Sequence, residues 1–169
     1  MIKEEKPVTK LLIENAKQIL TMQGESNHDE GNLIKAIGPK ADVDKYVEGI
    51  EDVQHINAQG KVICPGFIDC HTHVVFGGSR VAEYAIKLTD PRPETLAKFG
   101  IPTGIYASVN MTRDVPVEEL AARTERRMRN MVVTGTTTIE SKSGYGFTLP
   151  SEMKMLEVNR LLSATLPLD

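Results

Sequence analysis

The feature that most constrains this chain is a nearly apolar stretch that ends in three polar side chains, Phe67-Ile-Asp-Cys-His-Thr-His73. A Pro-Gly pair enters it, and apolar residues dominate residues 62–76, as is typical of a strand buried on both faces of a parallel sheet. Because side chains alternate along a strand, Asp69, His71 and His73 are predicted to share one face.

Two imidazoles on the same face of a strand can supply half of a metal site. In a (β/α)-barrel, the C-terminal ends of the strands carry the active site, and this pair lies at such an end. A bare His-x-His also occurs as an ordinary hydrogen-bonded pair, but the strand context favours metal binding. We therefore predict His71 and His73 as metal ligands, with Asp69 orienting its neighbours through hydrogen bonds. His28, in a polar loop, and His55, on a short strand, lack this context.

Residues after position 60 alternate between strand and helix patterns. Acidic residues in the first turn and an apolar stripe predict a long helix from Asp114, its N-cap, to Gly135. A β-branched strand follows at residues 136–142, and a second helix is predicted from Ser151, its N-cap, to Ser163. This alternation is typical of a βα-repeat architecture with a parallel sheet.

The segment between the first strand and the long helix is less regular. A short helix and a loop are predicted within residues 82–98. Residues 100–112 are rich in glycine, small side chains and threonine, and they are predicted to form a loop long enough to be functional. We expect this loop to lie over the site.

The first 60 residues are predicted to form small strands separated by turn residues. The strand predictions are short runs of leucine and β-branched residues: residues 11–13, 19–21, 33–37 and 53–56. Polar residues 24–32 and the turn-forming pairs Gly38-Pro39 and Gln59-Gly60 indicate hairpins and loops between the strands. One short helix is predicted at residues 42–50. The low apolar content predicts a thin β layer that needs a partner to cover it.

Composition excludes several classes of function. A net charge of −3 and a pI near 5.8 provide no basic surface for nucleic acid. No apolar run approaches the roughly 20 residues that cross a bilayer, and the N-terminus lacks a signal-peptide pattern, so we predict a cytoplasmic protein without membrane contact. Cys64 and Cys70 would lie about 20 Å apart in an extended segment, too far for a disulfide. Alternation places Cys70 on the face opposite the histidines, in the core.

Two groups of residues resemble a known family. The stretch Pro65-Gly-Phe-Ile-Asp-Cys-His-Thr-His73 is similar to the first-strand signature of the metal-dependent amidohydrolase superfamily. Its continuation, Val74-Val-Phe-Gly-Gly-Ser-Arg80, resembles the imidazolonepropionase family within that superfamily. Two later stretches are similar to that family's second-strand motif and to the helix after it: Glu140-Ser-Lys-Ser-Gly-Tyr-Gly146 and Glu152-Met-Lys-Met-Leu156.

The resemblance implies an α/β fold, an incomplete TIM-type (β/α) barrel preceded by part of a small β-sandwich domain. It runs in patches over residues 61–162, whereas the first 60 residues match only the general pattern of the family's β-rich flanking domain. The implied domains are residues 1–64, the partial flanking domain, and residues 65–169, the first βα units of a truncated barrel. Since a complete barrel needs about 250 residues, we expect an N-terminal portion that is inactive alone, from a full-length form that is a homodimer.

The activity implied by the resemblance is hydrolytic opening of the ring of 4-imidazolone-5-propanoate to N-formimino-L-glutamate, in histidine degradation, with one divalent metal, zinc or iron. His71 and His73 would bind the metal, Arg80 would meet the carboxylate of this small-molecule substrate, and Tyr145 would contact it. A cation held by imidazoles lowers the pKa of bound water to about 7, and an arginine fork suits a carboxylate. No histidine follows His73, so the water-activating aspartate or histidine is not expected in this chain.

Other interpretations stay open at this point. Arg80 is also compatible with a solvated loop arginine, Tyr145 with an ordinary turn, and Glu140 and Lys142 with an interior ion pair. Residues 99–113 depart from the glycine-rich stretch expected of the family, which leaves another cyclic amide or a deaminated heterocycle open as substrate. A third hypothesis is a non-catalytic short product that binds a partner or a metal through an exposed sheet edge.

Overall fold

A computed structural model describes residues 11–20 and 34–169, which belong to two compact units that divide between Pro65 and Gly66. The loop predicted for residues 24–32, with His28, lies outside the described residues. The same holds for Thr21 and Leu33 at the ends of two predicted strands. The predicted domain assignment on either side of residue 64 stays a prediction.

The first unit consists of short strands in two parallel pairs. Its elements are β1 (Leu11–Glu14), β2 (Gln18–Ile19), α1 (Lys40–Val43), a 3-10 turn (Asp44–Tyr46), β3 (Gln54–Asn57) and β4 (Val62–Ile63). β1 pairs with β3, with Leu11 opposite Gln54, and β2 pairs with β4, with Gln18 opposite Val62. The prediction of hairpins is therefore wrong, because each strand pairs in parallel with one that follows after a long connection.

Two further predictions for this unit fail. Residues 34–37 form no strand, and the Ile34 side chain is 78% exposed, because no described strand lies beside these residues to accept their hydrogen bonds. The predicted helix at residues 42–50 is replaced by α1 and the 3-10 turn, which end by Tyr46. Of the apolar side chains described in this unit, Leu12 and Ala58 are buried. The β layer is as thin as its composition predicted.

The second unit holds two strands and five helices among its residues. They are β5 (Phe67–Thr72), α2 (Val81–Thr89), α3 (Pro93–Lys98), α4 (Gly104–Arg113), α5 (Val117–Val133), β6 (Thr136–Ser141) and α6 (Leu149–Ser163). β5 and β6 pair in parallel, with Phe67 opposite Thr136 and Thr72 opposite Ser141, and the register shifts twice between these ends. The predicted parallel sheet is confirmed for this pair, and the predicted order of strand, loop, helix, strand and helix differs in that helices α2 to α4 lie between β5 and α5.

The core of the second unit lies where α5 and α6 meet the chain just after β5. The buried side chains that form it are Val74, Val75, Leu120, Met128, Met155, Val158, Leu162, Leu166 and Leu168. Met131 and Val132 of the predicted stripe pack against this cluster, together with Ile139 of β6. Burial of a helical stripe against a strand is the usual source of helix stability in such units.

The prediction that β5 is buried on both faces is wrong for the described structure. Phe67 and Ile68 are 61% and 71% exposed, and Cys70, predicted in the core, is exposed as well. The physical reason is that the buried cluster includes no residue of β5 and begins at Val74. Cys64 and Cys70 are both free thiols.

The loop predicted at residues 100–112 is also wrong, because most of it forms α4. Gly104 occupies the first position of that helix with φ of +71°, so its low helix propensity falls at the terminus, where it costs little. Ala107, Ser108, Val109 and Thr112 are buried and stabilise the helix through packing.

Both predicted N-caps are displaced. Asp114 follows the last residue of α4, and α5 begins after Pro116. Ser151 lies inside the first turn of α6, where its hydroxyl accepts a hydrogen bond from the Thr148 hydroxyl at 2.9 Å. A proline near each helix start shifts the boundary, because it lacks the N–H that a cap would satisfy.

Within the described ranges, no helix has both the length and the apolar character that crossing a bilayer requires.

Candidate active site

The two histidines of the strand signature lie side by side at the end of β5. Their ring centroids are 5.4 Å apart, with the ring planes at 69°. The backbone N–H of His71 donates to Asp69 Oδ1 at 3.1 Å. The alternation argument is thus confirmed for the imidazole pair, and Asp69 acts on its neighbour through the backbone.

His73 is held between an aromatic ring and a glycine. The ring centroids of His73 and Tyr145 are 5.1 Å apart, and a Cβ placed on Gly144 would lie only 2.9 Å from His73 Cε1. Gly144 also has φ of +135°, so both its backbone and its lack of a side chain suit this position. His73 Nδ1 is buried and has no hydrogen-bond partner among the described residues. A buried imidazole nitrogen without a partner is available to a ligand.

A cation anchors the backbone directly after His73. Arg127 of α5 donates from Nε to the Val74 carbonyl at 2.9 Å and from Nη2 to the Phe76 carbonyl at 2.8 Å. Its guanidinium carbon lies 3.7 Å from the centroid of the Phe76 ring, and that ring meets Tyr145 edge-on at 6.5 Å. One arginine therefore links the helix layer to the aromatic side chains beside His73.

Burial changes the protonation energetics of this arginine. Desolvation, with smaller repulsion from Arg123 and Arg126, lowers the pKa of Arg127 to about 10. The group stays a cation at neutral pH, because even this pKa lies well above 7. The carbonyl contacts and the Phe76 ring together replace the water that the cation has lost.

The loop that carries Tyr145 is fixed by a carboxylate of α6. Glu152 Oε1 accepts hydrogen bonds from the backbone N–H groups of Gly146 and Phe147, each at 2.8 Å. Burial acts to raise the pKa of Glu152, but the hydrogen bonds from Phe147, from the Ser143 hydroxyl and from Gly146 outweigh it, so the pKa lies below its usual value. The carboxylate is therefore charged at neutral pH and holds the turn closed.

Helix α4, like α5 and α6, contacts the loops that carry the site residues. The Thr112 hydroxyl accepts from the N–H of Gly77 at 3.0 Å, and a Cβ on Gly77 would strike the Met111 carbonyl at 2.1 Å. Arg113 donates to the Gly146 carbonyl at 3.2 Å. The end of α4 thus contacts both loops that follow the strands, and the segment predicted as a loop over the site is instead a rigid support for it.

Arg80, the predicted carboxylate ligand, has an intramolecular partner. Its Nε and Nη2 donate to the two oxygens of Glu83 at 2.5 and 2.8 Å, and Glu83 is only 2% exposed. The hydrogen bonds that Arg80 donates to Glu83 raise the pKa of Arg80, and the hydrogen bonds that Glu83 accepts from Arg80 and Lys87 lower the pKa of Glu83 to about 2. Arg80 is consequently not a simple solvated loop arginine.

Glu140 and Lys142 form the predicted ion pair, but its predicted interior position is wrong for the described structure. Lys142 Nζ contacts Glu140 Oε1, and this contact, helped by the nearby His71, lowers the pKa of Glu140. The Glu140 carboxylate is 58% exposed, so the pair lies at the surface of the described unit.

The imidazole pair fits a metal as part of a coordination shell. A catalytic zinc site has three protein ligands and an open position, and His71 with His73 would supply two. Among residues 11–20 and 34–169, no three His, Cys, Asp or Glu side chains lie close enough together to hold one ion. The two imidazoles would supply part of such a shell, and their role as metal ligands stays a prediction.

The structure brings together three of the four predicted site residues, His71, His73 and Tyr145. Arg80 lies close enough to Tyr145 for the phenol to raise the pKa of Arg80. The sequence argument missed Arg127, Glu152 and Glu83. The spacing of Glu83, three residues after Arg80 on a helix, was a detectable signal for an ion pair. Nothing in the local sequence marks Arg127, whose partner Val74 is 53 residues away.

No family model matches the chain. An imidazolonepropionase of Chromobacterium violaceum is 41% identical to it over 136 residues, which are 80% of this chain and 32% of that relative. The chain is related to the imidazolonepropionases. A probable imidazolonepropionase of Mus musculus is 41% identical over 126 residues, 75% of this chain and 29% of the relative. An imidazolonepropionase of Geobacillus sp. is 32% identical over an alignment of 179 positions that covers 94% of this chain and 42% of the relative.

The resemblance read from the motifs is confirmed by these imidazolonepropionases. The chain spans about a third of the length of the curated relatives that it matches. Since the Geobacillus imidazolonepropionase aligns with 94% of the chain, the similarity extends well beyond the two motifs.

Proposed function

We propose that this chain forms part of a hydrolase of histidine degradation that opens the ring of 4-imidazolone-5-propanoate to N-formimino-L-glutamate. The observation that carries the proposal is the similarity, at 32–44% identity, to proteins named imidazolonepropionase. The His71 and His73 pair at the end of a parallel strand gives that similarity a chemical basis in this chain.

A divalent metal, zinc or iron, is part of the proposal. His71 and His73 would hold it together with residues outside the described set, and the ion would supply Lewis-acid activation of water and of the ring carbonyl. Support comes from the buried, unpartnered Nδ1 of His73 and from the second imidazole 5.4 Å away. Glycine at position 144 leaves the space in which the His73 ring is oriented.

The substrate side of the proposal rests on Tyr145 and Arg80. Tyr145 lies against His73, so a ligand at the imidazoles would meet its ring. Arg80 is a permanent cation with 37% of its side chain exposed, and a guanidinium is well suited to a propanoate group. Glu152 and Arg127 would keep the two loops in place around the substrate.

For the fold we propose the beginning of a (β/α)-barrel after a partial β-sandwich domain. The parallel pairing of β5 and β6 across intervening helices supports the barrel. Asp169 adds to this support: its N–H donates to the Thr137 carbonyl at 2.9 Å, and its carbonyl accepts from the N–H of Ile139 at 2.7 Å. These two hydrogen bonds have the pattern of a single parallel bridge between Asp169 and β6.

Turnover measurements on the full-length protein test the proposed function. The metal-loaded protein is incubated with 4-imidazolone-5-propanoate, and N-formimino-L-glutamate is quantified by mass spectrometry. Hydantoins, dihydropyrimidines and aminated heterocycles are compared as substrates of the alternative hydrolases and deaminases. We expect a kcat/KM for imidazolone-propanoate at least about a hundredfold above the others, since discrimination by a buried polar site reaches this size.

Three results would count against the proposal. Preferred turnover of another cyclic amide or heterocycle would keep the hydrolase and replace the substrate. A protein that is cooperatively folded and monodisperse without metal, and that turns over none of these compounds after metal loading, would favour a non-catalytic role. Retained turnover after simultaneous loss of both histidines would remove His71 and His73 from the chemistry.

A further inference from the structure

A nearly inaccessible carboxylate lies behind the predicted substrate arginine. Glu83, in the first turn of α2, is 2% exposed and carries two cationic partners. Arg80 meets it with Nε and Nη2, and Lys87 Nζ donates to Oε1 at 2.5 Å. The backbone N–H of Gly104, at the start of α4, approaches the same oxygen at 3.4 Å. Glu83 therefore joins α2, the loop that carries Arg80 and α4.

The geometry of the pair leaves one edge of the guanidinium open. Both contacts to Glu83 use the Nε–Nη2 side, so the Nη1–Nη2 edge is turned away from the carboxylate. In the part of the chain that the structure describes, Nη1 of Arg80 has no hydrogen-bond partner. A carboxylate ligand can take a two-pronged hydrogen bond at that edge.

The charge balance of the cluster also favours an anion. One carboxylate faces two basic side chains, Arg80 and Lys87, which leaves the group with a net positive charge. Burying a carboxylate is costly unless it is paired, and a hydrophobic residue often serves stability as well. The two hydrogen bonds to Glu83 restrict the Arg80 side chain, which would otherwise sample many rotamers.

We propose that Glu83 is a positioning residue that holds Arg80 side-on, so that the Nη1–Nη2 edge receives the carboxylate of an anionic substrate. This inference rests on the proposed function and deepens it, because it states how the site would select a substrate with a carboxylate tail. Holding the guanidinium in advance lowers the ordering cost of binding. Glu83 itself does not touch the substrate.

The test uses the full-length, metal-loaded protein with Glu83→Gln and the control Glu119→Gln. Glu119 also pairs with an arginine, Arg123, but on an exposed helix surface. With imidazolone-propanoate, Glu83→Gln should raise KM about ten- to a hundredfold, the equivalent of losing one charge-assisted contact, and change kcat less than about threefold. The uncharged propanamide analogue should show a KM that is unchanged by Glu83→Gln. Glu119→Gln should leave both substrates unaffected.

A merely structural role predicts a different pattern. If Glu83 only stabilised the fold, Glu83→Gln would lower activity toward the acid and the amide alike, in proportion to the folded fraction measured by thermal melting. That result would overturn the proposal. Should Glu83→Gln fail to fold, Glu83→Asp retains the charge with a shorter reach, and it should raise KM for the acid but not for the amide.

Binding without turnover separates this inference from the proposed function. Calorimetry with imidazole-4-propanoate and its amide measures the carboxylate contact by binding alone. It works even if the protein converts neither imidazolone-propanoate nor the propanamide analogue. Selective binding of the acid that Glu83→Gln weakens at least tenfold would support the positioning role. Equal affinity for acid and amide in the wild-type protein would overturn it, whatever the outcome of the turnover assay.

Discussion

The guanidinium of Arg127 covers the ring of Phe76 at 3.7 Å and binds the carbonyl oxygen of that same residue at 2.8 Å. One side chain, that of Arg127, therefore contacts both the ring and the backbone of Phe76. Because the Phe76 ring meets the Tyr145 ring edge-on, and Tyr145 in turn meets His73, the contacts extend from α5 to the imidazole pair. Three of these four contacts join two side chains, so substitution can test them separately.

Arg127→Lys should destabilise the protein. A lysine keeps the charge but cannot donate to the Val74 and Phe76 carbonyls while stacking on the ring. We expect the free energy of unfolding in urea to fall by about 2 kcal/mol, the size of a charged hydrogen bond with a cation-π contribution. Arg129→Lys is the matched control, because Arg129 pairs with Glu125 on the exposed face of the same helix. It should change stability by less than about 0.5 kcal/mol, and an equal effect of both substitutions would contradict the assigned role.

Gly144→Ala should displace the His73 imidazole. The added Cβ would lie 2.9 Å from Cε1 and 3.2 Å from Nδ1, and the backbone has φ of +135°. Gly100→Ala provides the control, since its φ of +64° is also positive but nothing lies within 4 Å. Both variants should lose about 1 kcal/mol from backbone strain. Only Gly144→Ala should also lower the metal content of the purified full-length protein, measured by plasma mass spectrometry.

The stability contributed by Glu83 should disappear in acid. Its pKa is lowered from an ordinary 4.5 to about 2, chiefly by the hydrogen bonds from Arg80 and Lys87. A carboxyl with a lower pKa in the folded state stabilises the protein above the unfolded pKa and loses that effect as the pH falls through the folded pKa. The urea midpoint of the wild type should therefore exceed that of Glu83→Gln at pH 7, and the difference should shrink between about pH 5 and pH 2. A constant difference over this range would refute the assigned pKa.

Glu152→Gln should loosen the loop of Tyr145. The amide oxygen can still accept hydrogen bonds from the N–H groups of Gly146 and Phe147, but the negative charge that strengthens these bonds is lost. We expect a loss of about 2 kcal/mol in the free energy of unfolding, together with faster proteolytic cleavage at residues 143–147. Glu157→Gln, which removes an exposed pair with Arg160 on the same helix, should leave both readouts near the wild type.

His73→Asn should weaken metal binding. Removing one of the two imidazoles takes away a proposed ligand, and we expect metal affinity to fall at least tenfold. Substitution of a residue that only hydrogen-bonds to a metal ligand already lowers affinity by about this much. His55→Asn is the control, because His55 pairs with Glu14 in the first unit. Metal affinity is measured by competition with a chelator, and unchanged affinity in His73→Asn would exclude it as a ligand.

Regular periodicity made the strands and the long helix of the second unit predictable. β6 and α5 were located within a few residues, because a β-branched run and an apolar stripe are local signals. The position of His71 beside His73 followed from the same alternation. Residues 104–113 were missed, because glycine and threonine content suggested a loop whereas tertiary packing of Val109 and Thr112 stabilises a helix.

Side-chain partners across the chain were less predictable than the elements. The exposure of Phe67 and Ile68 depends on which surfaces the helices cover, which an apolar run by itself does not encode. The partner of Arg80 could have been inferred from helical spacing, whereas the contacts of Arg127 and Glu152 with backbone groups depend on the tertiary arrangement of distant segments.

The 53 residues that separate Arg127 from Val74 also bear on how the site forms. Closing a loop of that length costs chain entropy before any contact compensates for it, so we expect the contact of Arg127 with the segment after β5 to form late in folding. A synthetic peptide that carries the two histidines and their flanking residues would lack α4, α5 and α6 altogether. Such a peptide would contain both imidazoles without the orientation that the folded chain gives them.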